Sequence, residues 1–209
     1  MQEHGLRWLN CCSPTASTQL RYCEQLPILF SKQQLTILEI GSAYGGAVEM
    51  MAKVIGSRGR VYGYDTFVGH PKDLADDQTS SEAICMDVWY KHKLFGLERL
   101  DYGYQRKILD KQGLDNAILV KGRINEHSFD DIEKIHMAMI DLDLIKSTKV
   151  VYEAIKDKVV KNGYLLMHDT MPDCLPLIYK YLHEVVLEDG RWMIDLEVPK
   201  GYLTVLKKL

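Results

Sequence analysis

A chain of 209 residues with 46% hydrophobic composition can close one sizeable core, alone or with a small appendage. Its formal net charge of -3 and pI near 6.2 give no general attraction for nucleic acid or an anionic membrane, and no basic run with interleaved aromatics is present. No apolar run approaches the ~18 residues that a membrane span needs, and the N-terminal MQEHGLRWLNCC lacks the apolar stretch of a secretory signal.

Five cysteines, Cys11, Cys12, Cys23, Cys85 and Cys174, form no CxxC and are odd in number. They read as reduced thiols of a cytoplasmic protein.

In chain order, residues 1–34 contain a helical pattern from Ser17 to Phe30, interrupted by Pro27, which reads as a helical cap. LTILEI (35–40) is a short apolar strand. GSAYGGAVEMMAKVIGSRG follows, with Ala47, Met51, Val54 and Ile55 at helical spacing and Gly56 as its stop. RVYGYD is a second strand. The polar and aromatic segment 68–113, with Trp89, Tyr90, Phe95, Tyr102 and Tyr104, is long for a connection and reads as an inserted lid or substrate element.

NAILVKG and IHMAMID are the third and fourth strands. STKVVYEAIKDKVVKNG reads as a helix capped by Ser147 and terminated by Gly163, and YLLMHD as a fifth strand. CLPLIYKYLHEVVLED is a helix with an expected kink at Pro176, and RWMIDLEV and YLTVLKK close a hairpin. The fold class expected is α/β: a Rossmann-like, doubly wound, mostly parallel seven-stranded sheet with a C-terminal antiparallel hairpin, residues 35–209 forming one domain behind the 1–34 cap.

Acids end the apolar strands. Glu39, Asp65, Asp141 and Asp169 would all meet beyond the carboxyl ends of the sheet, where open α/β sheets bind ligands. Gly41 and Gly45 have GxxxG spacing, not the GxGxxG of dinucleotide-binding turns, and a tight strand–helix turn would look the same. With Asp65 one βαβ unit later, able to take ribose hydroxyls, they suggest an adenosine-type cofactor. Strand-end acids also serve as solvated groups or helix caps, so that reading stays beside the ligand one.

EIGSAYGGA, YGYDTFVGHP, LVKGRINE, IDLDLIKST and NGYLLMHDT together resemble class I S-adenosylmethionine-dependent methyltransferases, and in particular the macrocin O-methyltransferase family. The resemblance implies that Glu39, Gly41, Ser42 and Gly45 hold the methionine half of S-adenosylmethionine. It places Asp65, Thr66 and Phe67 at the ribose, Gly122 and Arg123 at the adenine, and Asp141 at the cofactor's border. Asp141, Asp169 and Thr170 are the implied metal ligands for Mg²⁺, with Asp143 a base. His168–Asp169–Thr170 departs from the two adjacent acids common in the macrocin group, and Tyr44 stands where a basic residue is common. His168 itself could be a base, a metal neighbour or a strand-end histidine satisfied by its surroundings.

The function expected from the resemblance is Mg²⁺-assisted O-methylation of a small hydroxylated molecule: a sugar, a glycosylated natural product or a phenol. The alternatives are a catalytically silent nucleotide-binding scaffold and, against the glycine spacing, an NAD-dependent dehydrogenase. The expected partner is a small-molecule substrate, with neither nucleic acid nor membrane. Self-association into a homo-oligomer is left open.

Overall fold

The computed structural model describes residues 14–68, 101–172, 175–199 and 202–209. Outside these residues lie Cys11, Cys12, Cys85 and Cys174, the aromatics Trp89, Tyr90 and Phe95, and most of the expected 68–113 insertion.

Helix α1 (Pro14–Leu29), with Pro27 inside it, precedes β1 (Leu35–Ile40), α2 (Gly46–Ile55) and β2 (Gly59–Asp65). After the undescribed segment come α3 (Tyr102–Lys111), β3 (Ala117–Lys121), β4 (Ile135–Ile140), α4 (Ile145–Ile155) and β5 (Val159–Met167). Helix α5 (Pro176–Tyr181) runs into a π-turn over Leu182–Val186, and β6 (Trp192–Val198) and β7 (Leu203–Lys208) complete the chain.

The seven strands lie in the order β3-β2-β1-β4-β5-β7-β6. The first five are parallel, and β7 runs antiparallel to both β5 and β6. The expected fold class holds: a Rossmann-like sheet with helices on both faces. Strand order reverses between β1 and β4, so a crevice opens where those two strands end.

Every residue of β4 is buried, which suits a central strand covered on both sides. On one face Ile37, Met137, Met139 and Leu166 pack with Tyr22, Cys23 and Leu26 of α1 and with Met51 and Ile55 of α2. On the other, Leu38, Ile40, Ala138, Ile140 and Leu165 pack under Val151, Tyr152 and Ile155 of α4. Cys23 is a free thiol inside the first core, and burial pushes its pKa up to about 12. Among the described residues no helix is long and apolar enough to cross a membrane.

Three sequence expectations are corrected. Helix α4 starts at Ile145 after an extended Leu144, with no side-chain cap, so Ser147 lies inside its first turn. Gly163 ends no helix but lies within β5, where an added Cβ would come within 2.9 Å of the His136 and Val160 carbonyl oxygens. Asn162 beside it is left-handed (φ 63), and the β4–β5 register shifts nearby, so this pair makes an irregular step in a strand. Pro176 does not kink its helix but opens it, where its missing N–H costs nothing. The break comes later, as an i→i+5 turn in which Leu187 N–H donates to Leu182 O at 3.0 Å.

Candidate functional site

Four non-glycine residues take left-handed backbone just after parallel strand ends. They are Ala43 (φ 43) after β1, Phe67 (φ 56) after β2, Asp143 (φ 59) after β4 and Asp169 (φ 59) after β5. Each such conformation costs on the order of 1–3 kcal/mol and persists where surrounding contacts impose it. Here all four gather at the carboxyl edge of the sheet.

The β1–α2 loop shows what imposes it. Gly41 and Ser42 N–H both donate to Tyr64 O, at 2.9 and 3.2 Å, so the loop leans on β2. Gly41 has φ 96, and a Cβ there would lie 1.7 Å from the Asp141 carbonyl oxygen on the neighbouring strand end. Glycine at this position is therefore demanded by packing of β1 against β4. Gly45, left-handed at φ 66, is the residue from which α2 starts.

Asp65 organises the same loop. Its Oδ2 accepts from Ala43 N–H at 2.9 Å and its Oδ1 from Phe67 N–H at 2.8 Å, with the Thr66 hydroxyl at 3.4 Å from Oδ1. The two oxygens retain lone pairs for further donors. The Phe67 ring is buried against Tyr102 at a centroid distance of 5.5 Å, and its N–H is the group bound by Asp65. Gly122 N–H donates to Asp65 O at 3.0 Å, which brings the exposed Gly122–Arg123 turn to the β2 end.

Glu39 is buried, and burial pushes its carboxyl up to about 8, with Asp141 and Asp65 adding repulsion. Gln19 of α1, 3.5 Å from Oε1, and the Val48 N–H of α2 work in the opposite direction. Among the described residues, Glu39 Oε2 and the hydroxyl of Ser42 are buried without a hydrogen-bond partner. Unsatisfied buried groups are costly, and a ligand's donors would relieve them.

On the other side of the crevice, His168 Nδ1 lies 3.1 Å from Asp141 Oδ1 and 3.0 Å from Asp169 Oδ1. Desolvation lowers the imidazole pKa, but the two acids outweigh it and push His168 up to about 11. One ligand atom from each of Asp141, His168 and Asp169 lies within 4.8 Å of the others. A divalent cation fits that donor set once the imidazole gives up its proton.

Thr170 does not join these groups through its hydroxyl. Its Oγ1 lies 2.8 Å from Thr204 Oγ1 and within hydrogen-bond reach of Met167 O and Tyr202 O, tying the β5 end to β7. His168, and not the Thr170 hydroxyl, lies within reach of both Asp141 and Asp169. Asp143 sits half-buried on the turn after Asp141.

Two glutamines went unread in the sequence. Gln19 and Gln105 are buried polar residues on the apolar stripes Ala16–Gln19–Cys23–Leu26 and Tyr102–Gln105–Leu109. A neutral amide at a core position of a helical pattern is the signal that would have singled them out.

A family model described as a methyltransferase domain matches residues 38–170, more than half of the chain. No curated protein sequence matches. Among solved structures, the O-methyltransferase NovP superposes with a TM-score of 0.70 at 17% identity, covering 92% of this chain and 78% of NovP. CalS11, a calicheamicin methyltransferase, gives 0.67 at 20% identity over 93% of this chain and 80% of CalS11. Aeropyrum pernix fibrillarin with natively bound S-adenosyl-L-methionine gives 0.50 at 16% identity over 84% of this chain and 66% of fibrillarin. At these identities the likeness is one of fold.

Proposed function

This chain belongs to the methyltransferase domain family, and on that premise we propose that it methylates a hydroxyl of a small molecule, using S-adenosylmethionine and a divalent cation. The observation that carries the proposal is the division of labour across the β1/β4 switch point. Glu39, Ser42 and Asp65 gather on the β1–β2 side, while Asp141 and Asp169 converge around His168 on the β4–β5 side.

S-adenosylmethionine supplies a sulfonium methyl, and a divalent cation lowers the pKa of a hydroxyl held beside it. The chain's own groups do the rest. Glu39 Oε2 and Ser42 Oγ, buried and without a partner among the described residues, would receive the donors of the methionine half. Asp65 fixes the loop through the Ala43 and Phe67 N–H groups and keeps lone pairs for ribose hydroxyls. Asp141 and Asp169 would hold the cation with His168, and an imidazole nitrogen among the donors admits Mn²⁺ beside Mg²⁺.

With its Nδ1 lone pair given to the cation, His168 would have none there with which to take a proton. In this reading Asp143 is the base for the acceptor hydroxyl, and His168 is a cation-side group. In this reading residues 35–209 are the catalytic unit, with 1–34 as its cap and 68–113 as its inserted lid or substrate segment. NovP and CalS11 are named as an O-methyltransferase and a calicheamicin methyltransferase, which supports an oxygen acceptor on a sugar, glycosylated natural product or phenol.

Calorimetry with S-adenosylmethionine, S-adenosylhomocysteine and NAD tests the cofactor, and a panel of sugars and phenols with and without Mg²⁺ or Mn²⁺ tests the transfer. Binding of NAD without S-adenosylhomocysteine would overturn the proposal. Cofactor binding with no methyl transfer to any acceptor in the panel would favour the silent scaffold.

A further inference from the structure

Ala43 of the β1–α2 loop is held on both sides of its backbone, by residues distant in the chain. Its N–H is held by Asp65 Oδ2 at 2.9 Å. Its carbonyl accepts from Gln105 Nε2 at 2.6 Å, a short bond from the middle of α3. Gln105 is fully buried. Because its partner is a carbonyl oxygen, the NH₂ end of the amide must face Ala43.

The two grips act on opposite sides of one residue whose φ of 43 is unfavourable for alanine. Released from either, the chain would relax towards the ordinary right-handed or extended regions. That would swing the Ser42 hydroxyl and the first turn of α2 out of register with Glu39. Helix α3 is anchored independently of this contact. Tyr102 stacks edge-on against Phe67, and Arg106 Nη1 donates to Ala117 O at 2.7 Å. The helix thus has contacts of its own beside the Gln105 bond, and that bond is the one that reaches the loop.

We propose that Gln105 is a positioning residue for methyl-donor binding, acting through Ala43 to hold the cofactor loop in its strained, binding-competent shape. This rests on the reading of the loop as a methyl-donor site. Gln105 acts through the loop, so its contribution belongs to affinity for the donor.

The test is Gln105→Met, which keeps an unbranched side chain but removes the donor, beside Asn116→Leu as control. Asn116 Nδ2 also donates to backbone carbonyls, Ala52 O at 2.8 Å and Gly56 O at 2.9 Å, at the far end of α2. Calorimetry with S-adenosylhomocysteine should show affinity falling about two- to ten-fold in Gln105→Met, as expected for one lost hydrogen bond. In Asn116→Leu it should stay at the wild-type value, whatever that change does to the melting temperature.

Amide hydrogen exchange at residues 42–45 should accelerate in Gln105→Met and not in the control. A second substitution, Asp65→Asn, should be non-additive with Gln105→Met, because both act on one residue. Wild-type affinity and unchanged exchange in Gln105→Met would overturn the positioning role and leave the methyltransferase reading standing. Failure of the wild-type protein to bind S-adenosylhomocysteine would overturn both. Should Gln105→Met fail to fold, Gln105→Asn, which keeps the amide but falls short of Ala43 O, carries the same expectation. Equal loss of affinity in the control would assign the effect to general destabilisation and overturn the proposal.

Discussion

Asp141 and Asp169 come from neighbouring strands and meet on one atom, His168 Nδ1, at 3.1 and 3.0 Å. In the cation-free protein an imidazolium balances the two carboxylates, held up to about 11 by their charge against the opposing effect of burial. The proton should therefore remain on His168 across pH 6–9 when followed by imidazole NMR. Asp141→Asn, which removes the larger electrostatic contribution, should lower the pKa towards its ordinary value. The raised pKa makes this group's contribution to stability complete below about 6.5, declining as pH rises and gone above about 11. A His168 that titrates near 6.5 in the wild-type protein would show that the three groups do not share a proton.

Glu39 makes a prediction of opposite sign. Its free-state pKa of about 8 leaves it largely protonated at pH 7. An ammonium group arriving beside it would favour the carboxylate, so binding should release protons. Affinity for S-adenosylhomocysteine should rise between pH 6 and 8, then level off at higher pH, where Glu39 is already ionised in the free protein. Calorimetry in buffers of different ionisation heat measures the proton count. A pH-independent affinity with no buffer dependence would place the ammonium away from Glu39.

Removing the Asp65 carboxylate takes away the acceptor for two backbone N–H groups as well as any contact with a ribose. Asp65→Ala should remain folded by circular dichroism yet bind S-adenosylhomocysteine roughly ten- to a hundred-fold more weakly, the scale of one lost charge-assisted hydrogen bond. An unchanged dissociation constant would take Asp65 out of the cofactor site.

For Gly41 the expectation concerns stability. An alanine methyl would overlap the Asp141 carbonyl oxygen, 1.7 Å away, at a φ of 96 that alanine resists. Gly41→Ala should cost at least about 2 kcal/mol in urea unfolding. Loss of binding with undiminished stability would instead mark Gly41 as a pure ligand-contact residue.

What the sequence made legible follows from where local and global signals agree. Strands β1 to β4 and the closing hairpin were visible because apolar runs ended in glycine or acid, and both local pattern and burial favour extension there. The start of β5 was not. Val159 and Val160 continue the apolar spacing of α4, and Asn162–Gly163 looks like a helix stop, whereas the chain uses that pair to step past His136. Strand-end acids stood out because charge interrupts an apolar run. Gln19 and Gln105 did not, because an uncharged amide on an apolar stripe breaks the pattern only slightly. The partnership of His168 with Asp141 arises only when β4 and β5 lie side by side, a juxtaposition that no local window of sequence contains.

Strand β7 lies inside the sheet, between β5 and β6, although it is the last strand in chain order. Thr170, next to Asp169, is tied to it through the bond from its N–H to Tyr202 O at 3.1 Å and the 2.8 Å contact with the Thr204 hydroxyl. During synthesis, β5 must wait with one edge unpaired until residues 203–208 have left the ribosome. The turn that aims Asp169 acquires its anchor at the same moment. The β4–β5 half of the crevice is therefore not complete until that last strand pairs.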